Sequence, residues 1–145
     1  MARPHIVLVS REVWPFMPGG GIGRGVRDTA LALAPECDVT VVTSRRYEPR
    51  FAAVAAEPGS WVATPGIAFA WADEPEEDPA PFWSPAHAWS AACRDALAEL
   101  AVRHPIDLVE FGDYGGAAAV TLQARRRGDP VLGAVPVDVR LHTPW

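Results

Sequence analysis

Two short β-branched runs, HIVLVS at 5–10 and DVTVVTS at 38–44, enclose a segment carrying a single apolar stripe. The stripe consists of Ile22, Val26, Ala30 and Leu33, spaced by four, four and three residues, and Pro35 stops it. Unbroken apolar runs of this length are strands buried on both faces, which calls for helices on both sides of a sheet. A strand, a helix of crossover length and a second strand form a parallel unit. The start of the chain therefore commits it to an α/β architecture.

The remainder continues the alternation. WVATPGIAFAW at 61–71 holds one or two short strands broken at Pro65-Gly66. ADEPEEDPAP at 72–81 carries five carboxylates and three prolines and reads as an exposed loop. Ser84 and Pro85 supply an N-cap and a proline at the first helical position. The helix they open places Trp89, Cys93, Ala96, Leu97 and Leu100 on one face and ends near His104-Pro105. IDLVEF at 106–111 is a third buried strand, GGAAAVTLQARRRG at 115–128 a helix closed by Gly128, and VDVRLH at 137–142 the last strand. No internal repeat is visible. The expected fold is a Rossmann-like three-layer α/β domain with a mostly parallel sheet. The chain stops three residues after that last strand, with no helix to cover it. The expectation is an N-terminal piece of a longer protein.

A chain of 145 residues is enough for one domain and too short for two ordinary ones. Its net charge of −5 argues against a general nucleic-acid binder, which needs a basic face. No window of eighteen apolar residues exists, so no transmembrane segment is expected. The N-terminus lacks the long hydrophobic region and cleavage site of a signal peptide. Cys37 and Cys93 form no motif, and His5, His87 and His104 show no metal-ligand spacing. A reduced cytoplasmic protein, or one peripheral at the inner membrane face, is the expected setting.

In open parallel sheets, ligands bind beyond the carboxyl ends of the strands. The first strand is followed by REVWPFMPGGGIGRG, the second by SRRYEPR, the third by GDYGG and the last by HTPW. Two glycine clusters, several arginines, an acid, a tyrosine and a histidine thus gather on one edge.

Five glycines lie within residues 19–25 and open a helix. None of their spacings gives G-x-G-x-x-G, and the second strand ends in Ser44-Arg45-Arg46 instead of a ribose-binding acid. G-x-x-x-x-G-K-[ST] is absent because the chain has no lysine. A nicotinamide-dependent oxidoreductase is therefore disfavoured. The cluster favours close approach of an anionic or sugar ligand to the helix N-terminus, against a purely packing role. For His142, structural and chemical readings stand level. Asp113-Tyr114 reads as the cap of the following helix. Arg45, Arg46 and Arg50 read as a solvated loop, and Arg125–Arg127 as cations suited to a helix C-terminus.

The segments HIVLVSREVWPFMPGGGIGRGVRDTALALA, VTVVTS, DLVEFGDYGG and VRLHTP, taken in order, resemble the N-terminal domain of glycosyltransferase family 4 enzymes. The resemblance covers nearly the whole chain except about residues 45–85. It implies the N-terminal half of a GT-B fold, two Rossmann-like domains facing across a cleft. It also implies retaining transfer of a sugar from a nucleotide-sugar donor to an acceptor in carbohydrate biosynthesis, without a metal or other cofactor. By resemblance, Gly19, Gly20 and Gly21, with Gly23, match the loop that approaches the donor diphosphate and the acceptor. His142 matches a catalytic histidine that contacts the donor sugar. Asp113, Tyr114 and Gly115 match a cleft position. The family's nucleotide grip and paired glutamates lie in a C-terminal domain to which nothing here corresponds, so this piece alone is expected to be inactive. The alternative is a non-catalytic sugar- or nucleotide-binding module on a related scaffold.

Overall fold

The structure, a computed structural model, describes residues 2–74 and 83–142. Five parallel strands form one sheet: β1 (His5–Val9), β2 (Asp38–Ser44), β3 (Ile67–Ala72), β4 (Leu108–Gly112) and β5 (Val137–Arg140). Their order is β3-β2-β1-β4-β5, so the chain moves outward from β1 to β3 and then returns to the far side of β1. This reversal puts a crevice between the carboxyl ends of β1 and β4.

The sheet is covered on both faces, as its unbroken apolar runs require. Leu8, Val39 and Val41 face a layer containing Val26 and Ala30 of α1 (Ile22–Leu33) and Val54 of α2 (Glu48–Ala55). Val7, Val9, Val42, Val109 and Phe111 face Trp89, Cys93 and Leu97 of α3 (Pro85–Arg103), with α4 (Ala119–Arg126) beside it. Ser84 caps α3, accepting the His87 N–H at 3.1 Å. Ser90 joins α3 to the next element: its hydroxyl donates to Ala117 O at 2.8 Å and accepts the Val120 N–H at 2.9 Å.

Several boundaries differ from the sequence expectation. The helix expected at 115–128 begins only at Ala119, because Gly115 and Gly116 have φ of 74° and 65° and form a 3-10 turn at Tyr114–Gly116. A left-handed pair cannot continue a right-handed helix. β5 ends at Arg140, which leaves His142 beyond the strand instead of in it. The arginines read as a solvated loop stand on a 3-10 turn, Arg45–Tyr47, and on α2. The exposed-loop reading of 72–81 holds at Asp73, whose side chain is 73% exposed, but fails at Ala72, the buried last residue of β3, and at Glu74, whose side chain is only 6% exposed. Residues 75–81 lie outside the described residues, as do Thr143 to Trp145.

The segment 45–63 has a positional task. Nine residues separate β1 from the first glycine, Gly19, and this long connection is tied down from below. Tyr47 Oη donates to Arg11 O at 3.1 Å, Arg50 Nη1 to Phe16 O at 3.1 Å, and Trp61 Nε1 to Trp14 O at 2.9 Å. Val13 and Phe16 are buried in the α1–α2 layer. The loop is thereby an anchored wall of the crevice.

Candidate functional site

The crevice is an open cavity of about 720 Å³ at the carboxyl ends of β1 and β4. Its apolar lining includes Val9, Met17, Ile22, Trp89 and Ala117, and its polar groups come from Arg11, Glu12, Arg46, Tyr47, Tyr114 and His142. The size suits a small polar ligand half-enclosed by protein.

His142, Tyr114 and Gly115 line this cavity, so three of the residues singled out in the sequence meet there. His142 sits where it does for two reasons. Asp113 Oδ1 accepts the His142 backbone N–H at 3.1 Å. Gly112 leaves room for the ring: a Cβ on Gly112 would stand 3.1 Å from His142 Nε2 and 3.2 Å from its Cδ2. Asp113 does occupy the cap position of the 3-10 turn, but its side chain makes no capping bond there. Its carboxylate serves β5's exit instead. Tyr114 is 73% exposed at the cavity rim.

The glycines divide by role. Gly20 has φ of 83°, a left-handed conformation, and a Cβ there would stand 2.9 Å from Glu12 Oε2. Gly23 is a packing glycine: a Cβ would stand 2.8 Å from Trp14 N and 3.2 Å from Val13 C. It lets α1 lie directly on the loop backbone. Gly19, Gly21 and Gly25 face open space, and Gly21 is the N-cap of α1 without a side-chain cap. None of Gly19, Gly20, Gly21 and Asp113 lines the cavity directly; their neighbours Ile22, Glu12 and Gly112 do.

Sequence reasoning missed Arg11, Glu12, Arg46 and Trp89 as parts of this site, and Glu74 as the acid that two of them share. Arg11 and Glu12 follow β1 directly, a position that the glycine cluster overshadowed. Glu74 was hidden within an acidic run, yet it is clasped by Arg11 Nη2 at 2.9 Å, by Arg46 Nη2 and by Ser44 Oγ at 2.7 Å. Burial pushes the Tyr47 phenol up, so it stays protonated and donates to Arg11 O. Burial likewise raises the Cys93 thiol well above its ordinary value, which keeps it un-ionised in the α3 core. Among the described residues, neither the His142 ring nor the Glu12 carboxylate makes a hydrogen bond or ion pair. Both are therefore open to a ligand. The described residues contain no His/Cys/Asp/Glu group arranged to hold a metal ion.

Comparison with known proteins locates the fold. No protein family matches the chain, and no curated protein matches it significantly. Among solved structures, it is similar to Phytolacca americana UGT2 complexed with UDP-2fluoro-glucose and pterostilbene, with a TM-score of 0.52 and 17% sequence identity. The match covers 97% of this chain and 31% of that one, so the chain spans about a third of UGT2's length. At this identity the likeness is one of fold. The chain has a Rossmann-like α/β domain of the kind that GT-B glycosyltransferases contain. No helix among the described residues is long and apolar enough to cross a membrane.

Proposed function

We propose that this chain is the N-terminal, acceptor-side domain of a GT-B glycosyltransferase that moves a sugar from a nucleotide-sugar to an acceptor. The observation that carries the reading is the convergence of His142, Tyr114 and Gly115 with the start of α1 around one cavity at the topological switch point. UGT2, solved with a UDP-sugar analogue, shares the scaffold and supports this class of ligand. The sequence resemblance to family 4 supports a retaining, metal-free reaction.

In this reading the acceptor lies in the cavity and the donor closes its open side together with a second domain of the same chain. His142, whose ring nitrogens have no partner among the described residues, hydrogen-bonds the donor sugar as charge develops at its reacting carbon. The free N–H groups at the start of α1, beyond Gly20 and Gly21, meet the diphosphate and stabilise its departure. The second domain excludes water, which the half-open cavity alone cannot do.

The test is direct. Protein produced from the complete reading frame is incubated with UDP-, GDP- and ADP-sugars and a panel of hydroxylated acceptors. Release of nucleoside diphosphate with a matching mass gain on an acceptor is expected, and the anomeric configuration of the product reads out retention. Binding of a nucleotide-sugar without turnover on any acceptor would replace the transferase by a binding module.

A further inference from the structure

We propose that the wall of the cavity nearest β2 and β3 is a subsite for an oxyanion on the acceptor, a phosphate monoester or a carboxylate, held by Arg11 and Arg46. The inference rests on the reading of this cavity as an acceptor site. Two guanidinium groups from separate elements, one following β1 and one following β2, line the same cavity. Like charges converge this way only with a counter-ion between them, and Glu74 is that counter-ion. Its side chain is nearly sealed from solvent, and its carboxylate accepts hydrogen bonds from Arg46 Nη2 and Ser44 Oγ and forms an ion pair with Arg11 Nη2.

The arginines are not used up by this arrangement. Among the described residues, Arg11 Nε and Nη1 and Arg46 Nη1 have no protein partner. Both side chains are a little under half exposed. Each is also steadied by a ring: the Arg11 guanidinium lies 6.0 Å from the Trp89 centroid, and that of Arg46 5.9 Å from the Tyr47 centroid. Planar donors fixed by a buried carboxylate and by aromatic faces are preorganised for a planar or tetrahedral oxyanion. Two cations share one buried carboxylate at this wall, so neither guanidinium is matched by a carboxylate of its own there. Glu12 is a carboxylate that lines the cavity itself, with Oε2 beside Gly20. An uncharged acceptor would leave the remaining donors to water alone.

The experiment follows the Nε–H signals of Arg11 and Arg46 by NMR while full-length protein is titrated. The probes are glycerol 3-phosphate, glycerate, inorganic phosphate, UDP and uncharged glycerol. Glycerol 3-phosphate or glycerate is expected to shift both signals, glycerol neither, and the stronger of the two anions identifies the oxyanion. Arg46→Gln and Arg11→Gln should each weaken the anion on the order of tenfold, as expected for losing a hydrogen bond to a charged group. Arg46→Lys should recover only part, because it restores the charge without the fork. Thermal melting identifies any variant that loses the fold, and the Lys variant then stands in for it. Affinity that is equal in wild type and folded Gln variants, or equal for glycerol and its phosphate, overturns the proposal and leaves the cluster as a tie between strand ends. Shifts with UDP alone also overturn it, assigning the arginines to the donor. Failure of sugar transfer with arginine-dependent anion binding intact would instead overturn the transferase reading.

Discussion

Asp113 and His142 are 29 residues apart in sequence, yet the carboxylate of one holds the backbone of the other, Oδ1 to N–H at 3.1 Å. The bond closes the carboxyl end of β4 onto the exit of β5, the two strands whose register pairs Gly112 with Arg140. Below it, Arg140 reaches Glu110 Oε2 at 2.9 Å and Thr29 Oγ1 at 2.7 Å, tying β5 to β4 and to α1. His142 is thus placed through its backbone, and neither ring nitrogen has a hydrogen-bond partner among the described residues.

Asp113→Ala should free the residue that follows β5 without unfolding the domain. A part-buried hydrogen bond of this kind contributes about 1 kcal/mol, so the melting temperature should fall only slightly. The amide of His142 should lose its protection against hydrogen exchange, while amides within β4 keep theirs. Asp113→Asn retains an acceptor oxygen and should restore protection. Equal protection in wild type and Asp113→Ala would mean that the strand exit is held by something else.

Two neighbouring glycines should respond in opposite ways. At Gly23 a Cβ meets the backbone of Trp14 and Val13, which has no rotamer with which to yield. Gly23→Ala should cost about 1–3 kcal/mol through overpacking and displace the loop from α1. At Gly21 a Cβ meets nothing, and the residue has ordinary helical φ. Gly21→Ala should leave the melting temperature nearly unchanged. Urea denaturation of the two variants side by side decides whether the cluster serves packing at one position and access at the other.

The parts of this fold that were legible in the sequence are those governed by local periodicity. β2 was readable to the residue, and the start of α3 was fixed by Ser84 and Pro85, because an apolar run and a cap are short-range signals. The arrival of His142 and Tyr114 in one cavity was legible from topology, since both follow strands of a parallel sheet. What escaped depends on contacts across the chain. α2 begins in RRYEPR, whose charges resemble a loop until Tyr47 and Arg50 reach the backbone of the 11–16 stretch. Glu74 was one acid among five, distinguished only by two arginines brought to it by separate strands.

Acid should weaken the fold through Asp129. Its carboxylate accepts the Leu132 and Val131 N–H groups at 2.8 and 2.9 Å and pairs with Arg94, and these contacts hold its pKa down to about 2. A depressed folded pKa stabilises the protein above the ordinary carboxylate range, and that contribution is lost as pH falls from about 4 through 2. The turn so held delivers Leu132 into the core. Asp129→Asn should therefore be less stable than wild type at neutral pH and show a shallower decline of melting temperature between pH 4 and 2. Parallel declines would place the acid sensitivity elsewhere.

His142→Ala is the sharpest test of the proposed chemistry, because the ring contributes little to the fold and stands free at the cavity wall. It packs over Gly112 at the edge of the sheet and belongs to neither buried cluster, so melting should hardly change. In the transferase reading, its hydrogen bond to the donor sugar strengthens as charge develops, which places its loss in turnover more than in donor binding. A fall in kcat on the order of a hundredfold, with a nearly unaltered donor KM, is the expected result for removing one electrostatic stabiliser. His142→Gln, which keeps a hydrogen-bonding side chain, should retain more activity than His142→Ala. Near-normal turnover of the alanine variant with an identified donor and acceptor would return His142 to a structural role and move the chemistry towards Glu12, a carboxylate that lines the same cavity.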